Sequence, residues 1–221
     1  MNISKLVSFF KACGGVVEKL RKRKEKSDMR NANFTVIKSV EDKYGVDFGG
    51  YIPDTAELGT CSDFCNGYEP AYPMPAVFSY LNIKPEDKLL DVGSGKGYAM
   101  YMFSSFPFSR IDGVELSEKL ARISEENLKK IFPEQNGRFN VFCGNALDFE
   151  GLDEYNYIFM YNPFPREVVE QFVNKLVDSA KGREGKLTVI YQNPQRGGLF
   201  EQSGIFETVL MEDGTAVFES K

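Results

Sequence analysis

Three glycines at alternate positions are the part of this sequence best suited to binding chemistry. Gly93, Gly95 and Gly97 follow the apolar run 89–92, and Ser94 lies between the first two. Glycine has no Cβ, so such a loop lets a flat ligand lie against the backbone, while the amides that open the next helix point at that ligand. The pattern predicts a buried strand that ends in a nucleotide-binding loop.

An acidic residue ends the next strand-like run. The run 110–115 closes on Glu115, which is placed to accept hydrogen bonds from a ribose diol, and Leu116 follows it. Ser117 is a suitable N-cap for a helix over 118–131. An acid about 20 residues after a glycine loop is also typical of dinucleotide-binding folds. Both kinds of nucleotide site therefore remain open at this point.

The glycine spacing separates these two alternatives. The dinucleotide pattern is GxGxxG, whereas Tyr98 occupies the last glycine position here and Asp91 precedes the loop. At these residues the chain resembles the class I S-adenosylmethionine-dependent methyltransferases, whose first motif is DxGxGxG and whose second strand ends in an acid. The resemblance implies that Asp91 and the glycine loop bind the methionine end of the cofactor, and that Glu115 holds its ribose.

The resemblance extends through residues 139–149, where that superfamily often has a strand followed by Gly-Asp-Ala and a second acid. Here Asn145 replaces the usual Asp and is followed by Ala146. A carboxamide oxygen can still accept a hydrogen bond from an adenine amino group. Asp148 could serve instead, so the resemblance implies an adenine contact at one of these two side chains.

The fourth strand-like run ends in Tyr161-Asn162-Pro163-Phe164, which resembles the Asn-Pro-Pro-aromatic motif of amino-group methyltransferases. The resemblance implies that the Asn162 side-chain oxygen and the Pro163 carbonyl accept the N–H bonds of the target, while Phe164 packs on the substrate. Methyl transfer of this kind depends mostly on placing the nucleophile in line. A single Pro separates Asn162 from Phe164, and the alternative interpretation is a tight turn that closes a buried strand.

A segment rich in Gly, Pro and Tyr, residues 67–75, precedes the glycine loop. It resembles a Tyr-Glu-Pro-Thr segment of small bacterial methyltransferases that also carry Tyr-Asn-Pro-Phe, with Ala71 in place of the Thr. The resemblance implies that Tyr68 and Glu69 border the methionine end of the cofactor. The alternative is a proline-stiffened linker that packs its tyrosines on the core.

Short apolar runs alternate with amphipathic stretches after residue 85, which predicts an α/β fold with a doubly wound, mostly parallel sheet. The class I methyltransferase fold that the motifs imply has seven strands and a C-terminal antiparallel hairpin. The predicted later elements are a helix over 166–180, a fifth strand over 186–191, and hairpin strands over 206–211 and 216–218. The last hairpin is signalled by a Gly-containing turn between two β-rich runs.

The chain divides into three predicted parts: an N-terminal helical, partly basic extension over 1–45, a lid or linker over 46–76, and the cofactor-binding core over 77–221. The basic residues that follow an apolar pattern at the N-terminus predict an amphipathic helix over 1–30. Such a helix could lie on an anionic membrane, contact an acidic partner or, as is commonest, pack one face on the domain. Neither a signal peptide nor a transmembrane span is expected there, and we expect a cytoplasmic protein.

The composition of the chain restricts the class of methyl acceptor and argues against a metal-binding site. The 221 residues carry a net charge of −5 with no His, and the Lys and Arg residues concentrate near the N-terminus. An acidic chain favours a protein amine or a small molecule over nucleic acid as the acceptor. Cys61 and Cys65 are three residues apart, but without His, and with Cys143 predicted on a buried strand, we expect free thiols and no metal site.

The sequence therefore predicts an enzyme that transfers a methyl group from S-adenosylmethionine, leaving S-adenosylhomocysteine, to a nitrogen of a protein or small molecule. One alternative is a nucleic-acid adenine N-methyltransferase. The other is a non-catalytic module that only binds S-adenosylmethionine.

Overall fold

The computed structural model describes residues 28, 30–53, 55–60, 63, 65–135 and 137–221. The predicted basic helix over 1–30 lies, except for residues 28 and 30, outside these described residues. The first described element is helix α1, which covers 30–44. No helix in the described part of the chain has the length and apolar character needed to cross a membrane.

A sheet of seven strands forms the centre of the described structure, in the order β3-β2-β1-β4-β5-β7-β6. Neighbouring strands from β3 to β5 are parallel, and β7 runs antiparallel to both β5 and β6. The strands are β1 Lys88–Val92, β2 Arg110–Glu115, β3 Phe139–Cys143, β4 Tyr157–Tyr161, β5 Thr188–Gln192, β6 Phe206–Glu212 and β7 Thr215–Ser220. The predicted fold class is confirmed.

Helices connect the parallel strands and cover the sheet. They are α2 Pro75–Tyr80, α3 Tyr98–Phe103, α4 Glu118–Ile131, α5 Arg166–Lys181 and α6 Gly198–Gln202, with 3-10 turns at Thr55–Leu58 and Glu150–Glu154. Helix α4 has the predicted bounds, and the Ser117 hydroxyl accepts a hydrogen bond from the Leu120 N–H at 3.4 Å, as expected of its N-cap. Four predicted elements shift slightly. Strand β5 begins two residues later and ends one later than the sequence indicated, and α5 and β6 each end one residue later. Strand β7 begins one residue earlier and ends two later.

Alternating side chains on the central strands bury both faces of the sheet. Leu89 and Phe159 pack on one face with the α3 residue Phe103, whereas Leu90 and Met160 pack on the other with residues of α5. Fully burying an aliphatic or aromatic side chain of this size contributes about 1.5–3 kcal/mol. Because both faces are covered, the carboxyl ends of the parallel strands are left as the place for a site.

Cys143 is exposed, so the prediction that it lies on a buried strand was wrong. It ends β3, an edge strand of the sheet, and its neighbour Phe142 is 42% exposed. A run of apolar residues cannot reveal that its strand lies at the edge, where one side has no neighbouring strand. The described residues contain no cluster of three or more metal-ligating side chains. Cys61 and Cys13 lie outside the described residues.

Two stretches ahead of the core cross the carboxyl ends of the strands and are fastened there. Ile52 and Tyr68 exchange backbone hydrogen bonds at 2.9 and 2.7 Å, which joins the two stretches. The Gln192 side chain accepts a hydrogen bond from the Tyr72 N–H and donates one to the Tyr72 carbonyl, both at 2.9 Å. The boundaries at residues 46 and 77 remain a prediction.

Candidate active site

A cavity of about 380 Å³ opens at the carboxyl ends of the parallel strands. The chain order of the strands reverses between β1 and β4, and α/β folds place their ligands at such a switch point. Thirteen of the fifteen predicted site residues line the cavity, namely Tyr68, Glu69, Asp91, Gly93, Ser94, Gly95, Glu115, Leu116, Asn145, Ala146, Asn162, Pro163 and Phe164. The other two, Gly97 and Asp148, are not among its lining residues.

The glycine loop has a backbone that only glycine adopts easily. Gly93, Gly95 and Gly97 have φ angles of +73°, +55° and +84°. A Cβ on Gly95 would lie 2.4 Å from the Tyr68 ring. On Gly97 it would lie 2.4 Å from the Ser124 hydroxyl of α4, so Gly97 serves the packing of two helices. The first two glycines form the wall of the cavity and the third supports it.

Two buried acids stand where β1 and β2 end. Asp91 is 2% exposed, and its Oδ2 has no hydrogen-bond partner among the described residues. Burial, and then the nearby charge of Glu115, raises the pKa of Asp91 well above its usual range. A buried carboxyl without a partner is costly unless a ligand supplies the donor.

Glu115 is better supplied with donors than Asp91. Its Oε2 accepts a hydrogen bond from the Gly95 N–H at 2.8 Å, and its Oε1 accepts one from the Ser117 N–H at 2.9 Å. Burial raises the pKa of Glu115, and these backbone N–H groups partly offset that effect. The carboxylate is thereby held in place beneath the glycine loop.

The described lining of the cavity contains no Lys or Arg side chain. Lys96 belongs to the glycine loop, yet its Nζ lies 2.6 Å from Asp47 Oδ1 and 2.7 Å from the Gly49 carbonyl, outside the cavity wall. Acids without basic neighbours favour a cationic ligand and disfavour a pyrophosphate. The ammonium and sulfonium groups of S-adenosylmethionine fit this lining, with Asp91 as the side chain that would hold the ammonium.

The loop after β3 brings Asn145, rather than Asp148, to the cavity. Asn145 Oδ1 accepts a hydrogen bond from the Leu147 N–H at 3.0 Å, and Asp148 is exposed. Lys175 of α5 donates to the carbonyls of Leu147 and Phe149, at 2.6 and 2.5 Å. These contacts fix the loop that would meet the adenine.

The loop after β4 carries the predicted acceptor-binding groups, and a neighbouring segment already contacts them. Asn162 has φ +40°, and its Oδ1 accepts a hydrogen bond from the Tyr191 hydroxyl at 3.3 Å. The Asn66 N–H donates to the Pro163 carbonyl at 2.8 Å. Phe164 is 8% exposed and packs on Phe172 in the core, with ring centres 5.5 Å apart. Little of its ring is therefore free to touch a substrate.

The Asn66 side chain completes this contact. Its Nδ2 donates to the carbonyls of Asn162 and Phe164, at 2.7 and 3.2 Å. Asn66 itself is exposed. Asn66 therefore already donates hydrogen bonds to three consecutive carbonyls of the loop after β4.

Glu69 joins the acceptor side of the cavity to α1. Its Oε2 accepts a hydrogen bond from the Tyr161 hydroxyl at 2.7 Å, while its Oε1 accepts from Tyr72 and pairs with Arg30. Burial acts to raise the pKa of Glu69, but the hydrogen bonds from Tyr72, Tyr161 and Arg30 outweigh it and hold the pKa below its usual value. Burial and then the contact with Glu69 raise the pKa of Tyr161.

Sequence reasoning missed several lining residues on the acceptor side. Tyr161 lies in the quoted motif but was given no role, and Asn193 directly follows β5. The rule that ligands bind at the carboxyl ends of parallel strands could have found Asn193. Asn66 carries no such signal because only the folded chain brings it to the β4 loop.

The model of the protein-L-isoaspartate(D-aspartate) O-methyltransferase family matches residues 68–181. No curated protein matches the chain. Solved structures similar to it include yhhF from Escherichia coli, named as a methyltransferase, at 17% identity and TM-score 0.53 over 66% of this chain and 85% of that one.

Two further solved structures have a TM-score of 0.50. One is a protein of the NADB-Rossmann superfamily from Streptococcus agalactiae, at 17% identity over 66% of each chain. The other is the methyltransferase domain of bacterial CtHen1, at 16% identity over 66% of this chain and 96% of that one. The chain spans about half of the length, 53%, of the Bacillus subtilis protein YcgJ, another similar structure. At such identities the likeness shows the fold.

Proposed function

The chain belongs to the protein-L-isoaspartate(D-aspartate) O-methyltransferase family of S-adenosylmethionine-dependent enzymes, and we propose that it transfers the methyl group to a nitrogen of a protein or small molecule. The observation that carries the proposal is the contrast within one cavity between buried acids on one side and neutral amide and hydroxyl groups on the other. The first side suits a cationic methyl donor, and the second suits an uncharged nucleophile.

On the donor side, Asp91 and Ser94 have buried polar atoms without partners among the described residues. They would hold the amino group of the cofactor, Glu115 its ribose and Asn145 its adenine. When bound, S-adenosylmethionine supplies a methyl group already activated by a sulfonium. The remaining work of the chain is to position the nucleophile and to exclude water.

On the acceptor side, Asn162 would accept an N–H bond of the target and turn the nitrogen lone pair toward the cofactor. The Pro163 carbonyl would accept a second N–H bond, either with its free lone pair or in place of the Asn66 N–H, which occupies it now at 2.8 Å. Phe164 would shape the wall from the core.

The second candidate is methyl transfer to a carboxylate, which the name of the matching family suggests. An anionic acceptor is bound best by a basic side chain or a cluster of N–H donors. The described lining offers no basic side chain, and the nearby Arg30 already pairs with the Glu69 carboxylate, so it is not free to bind a second anion. The electrostatics of the cavity therefore support nitrogen over carboxylate.

Methyl-labelled S-adenosylmethionine, offered with three acceptor probes, tests the proposal. The probes are poly-L-lysine for amines, an isoaspartyl peptide for carboxylates, and an adenine-containing RNA oligonucleotide. We expect label in poly-L-lysine that survives alkali, because N-methyl groups are stable where methyl esters hydrolyse. Alkali-labile label in the peptide would establish the carboxylate candidate, and label in the oligonucleotide the nucleic-acid alternative.

The non-catalytic alternative has its own signature. A pure binding module would bind S-adenosylhomocysteine in calorimetry yet label none of the three probes. Failure to bind either form of the cofactor would refute the proposed function as a whole.

A further inference from the structure

Two asparagines stand side by side at the acceptor end of the sheet. Tyr161 and Gln192 are register partners on the parallel strands β4 and β5, and the next residues are Asn162 and Asn193. Both line the cavity, and both have positive φ angles, +40° and +52°. Adjacent strands lie about 4.8 Å apart, so the two residues leave the sheet as neighbours.

The Asn193 side chain has an amino group that is free for a ligand. Its Oδ1 accepts only a long hydrogen bond, from Gln195 Nε2 at 3.4 Å. Across the described part of the chain, its Nδ2 donates to no protein group, although the residue is partly buried in the cavity wall. Its backbone is well anchored, since its N–H donates to the Gly214 carbonyl at 2.8 Å.

The backbone of Asn193 supports a role for its side chain. Holding a residue other than glycine in the left-handed region costs about 1 kcal/mol or more, and glycine would avoid this cost. Such conformations cluster at ligand-binding sites, where the side chain is needed in one direction. The position therefore combines strain, a free donor and a place in the cavity.

We propose that Asn193 is a second substrate-binding residue, whose side-chain amino group donates a hydrogen bond to an oxygen of the acceptor beside the atom that is methylated. This inference rests on the proposed function. With Asn162 Oδ1 as acceptor and Asn193 Nδ2 as donor, the pair complements a group in which a carbonyl oxygen lies close to an N–H. The substrate class is thus an amine or amide with a carbonyl oxygen near its reacting N–H, an arrangement that the terminal α-amine of a polypeptide such as poly-L-lysine also has.

The test uses the full-length protein, labelled with ¹⁵N and saturated with S-adenosylhomocysteine. N-methylacetamide, which has one carbonyl and one N–H, is titrated in while the side-chain amide signals are followed by NMR. The Asn193 signal is assigned by its absence in Asn193→Gly and Asn193→Asp. Glycine accepts φ +52° without strain, so Asn193→Gly is expected to keep the fold.

As N-methylacetamide is added, we expect the Asn193 side-chain signal to shift until the site is saturated. Methylammonium, which offers only hydrogen-bond donors, should leave the signal unshifted. The exposed Asn31 provides the reference for nonspecific shifts. Gln171→Ala, which alters an exposed residue of α5 outside the cavity lining, is expected to leave the titration unchanged.

A shift at Asn193 no larger than that at Asn31 would overturn the inference. Calorimetry on the same samples separates this outcome from failure of the proposed function. If S-adenosylhomocysteine binds but Asn193 does not respond, only the inference fails. If S-adenosylhomocysteine does not bind the natural protein, the proposed function fails first.

Discussion

The two halves of the carboxyl edge of the sheet differ in charge and in backbone. The ends of β1 and β2 carry Asp91 and Glu115, buried acids with raised pKa values beside a glycine loop. The ends of β4 and β5 carry Asn162 and Asn193, neutral amides held at positive φ. Under the proposed function, one half would meet a cation and the other would orient an uncharged group.

This difference shows how one sheet edge can serve two reactants. A cationic methyl donor would offset the cost of the buried acids, so its binding energy would be concentrated on the half formed by β1 and β2, the donor half. The amide half adds little charge and therefore depends on geometry, which the strained backbone and the neighbouring segment supply. Changes in the first half should thus alter cofactor affinity, and changes in the second should alter turnover.

The largest expected effect comes from Asp91→Asn. It removes the partnerless carboxylate, so the affinity for S-adenosylhomocysteine should fall about 100-fold, or about 2.7 kcal/mol. The ligand-free protein should at the same time unfold at a higher temperature, because a buried charge has been removed. Calorimetry and thermal unfolding measure the two effects. The exposed Asp148→Asn is the control and should change neither; an unaltered affinity in Asp91→Asn would contradict the assignment of the donor half.

Asn162→Gly tests the acceptor half. Glycine accepts φ +40°, so the fold is kept while the amide is lost. Turnover with whichever probe the natural protein methylates should fall about 30-fold, or about 2 kcal/mol, with cofactor affinity unchanged. Tyr191→Phe removes only the hydroxyl that contacts Asn162 and should retain most turnover. A parallel loss of cofactor affinity in Asn162→Gly would contradict the assignment of separate roles to the two halves of the sheet edge.

Gly95→Ala and Gly204→Ala form a matched pair for the glycine loop. Both positions have positive φ, but a Cβ on Gly95 would meet the Tyr68 ring at 2.4 Å, whereas one on Gly204 meets nothing within 4 Å. Backbone strain should be similar in the two variants, so Gly95→Ala should lose about 2 kcal/mol more in the free energy of unfolding. Denaturant titration measures this difference. Equal losses in the two variants would show that the Tyr68 ring does not require a glycine at position 95.

The pH dependence of cofactor binding should follow the acids of the donor half. Burial and then Glu115 raise the pKa of Asp91, and the carboxylate must be ionised to pair with an ammonium. Affinity should therefore rise by up to about tenfold per pH unit as pH increases through that raised pKa, then level off. Calorimetry from acidic to neutral pH measures the slope, and Asp91→Asn should reduce it.

The stability of the ligand-free protein should respond to pH in the opposite sense. Because the pKa of Asp91 is raised in the folded state, its contribution to stability is fully present below the ordinary pKa of an aspartate. That contribution is lost as pH rises through the raised value. A slope of the same sign for stability and for affinity would contradict this assignment.

Local patterns made much of the fold predictable from the sequence. The cap at Ser117 and the acid at Glu115 fixed the start of α4 and the end of β2, because capping and strand ends are decided by neighbouring residues. The methyltransferase class and its cofactor, implied by the resemblance at the glycine loop, are confirmed by the family match. The roles of the individual site residues remain predictions.

Features that depend on the assembled sheet were not predictable. The exposure of Cys143 follows from the edge position of β3, which no local pattern reveals. The contacts of Asn66 with the β4 loop join residues almost a hundred positions apart. Asn193 gains its place only from the register of β4 and β5.

Calorimetric titration of the full-length protein with S-adenosylmethionine, S-adenosylhomocysteine and NAD tests the central claim most directly. The account predicts that both sulfur compounds bind and that NAD does not, because the described lining has buried acids and offers no basic side chain to a pyrophosphate. Binding of NAD with no binding of S-adenosylmethionine would contradict the account.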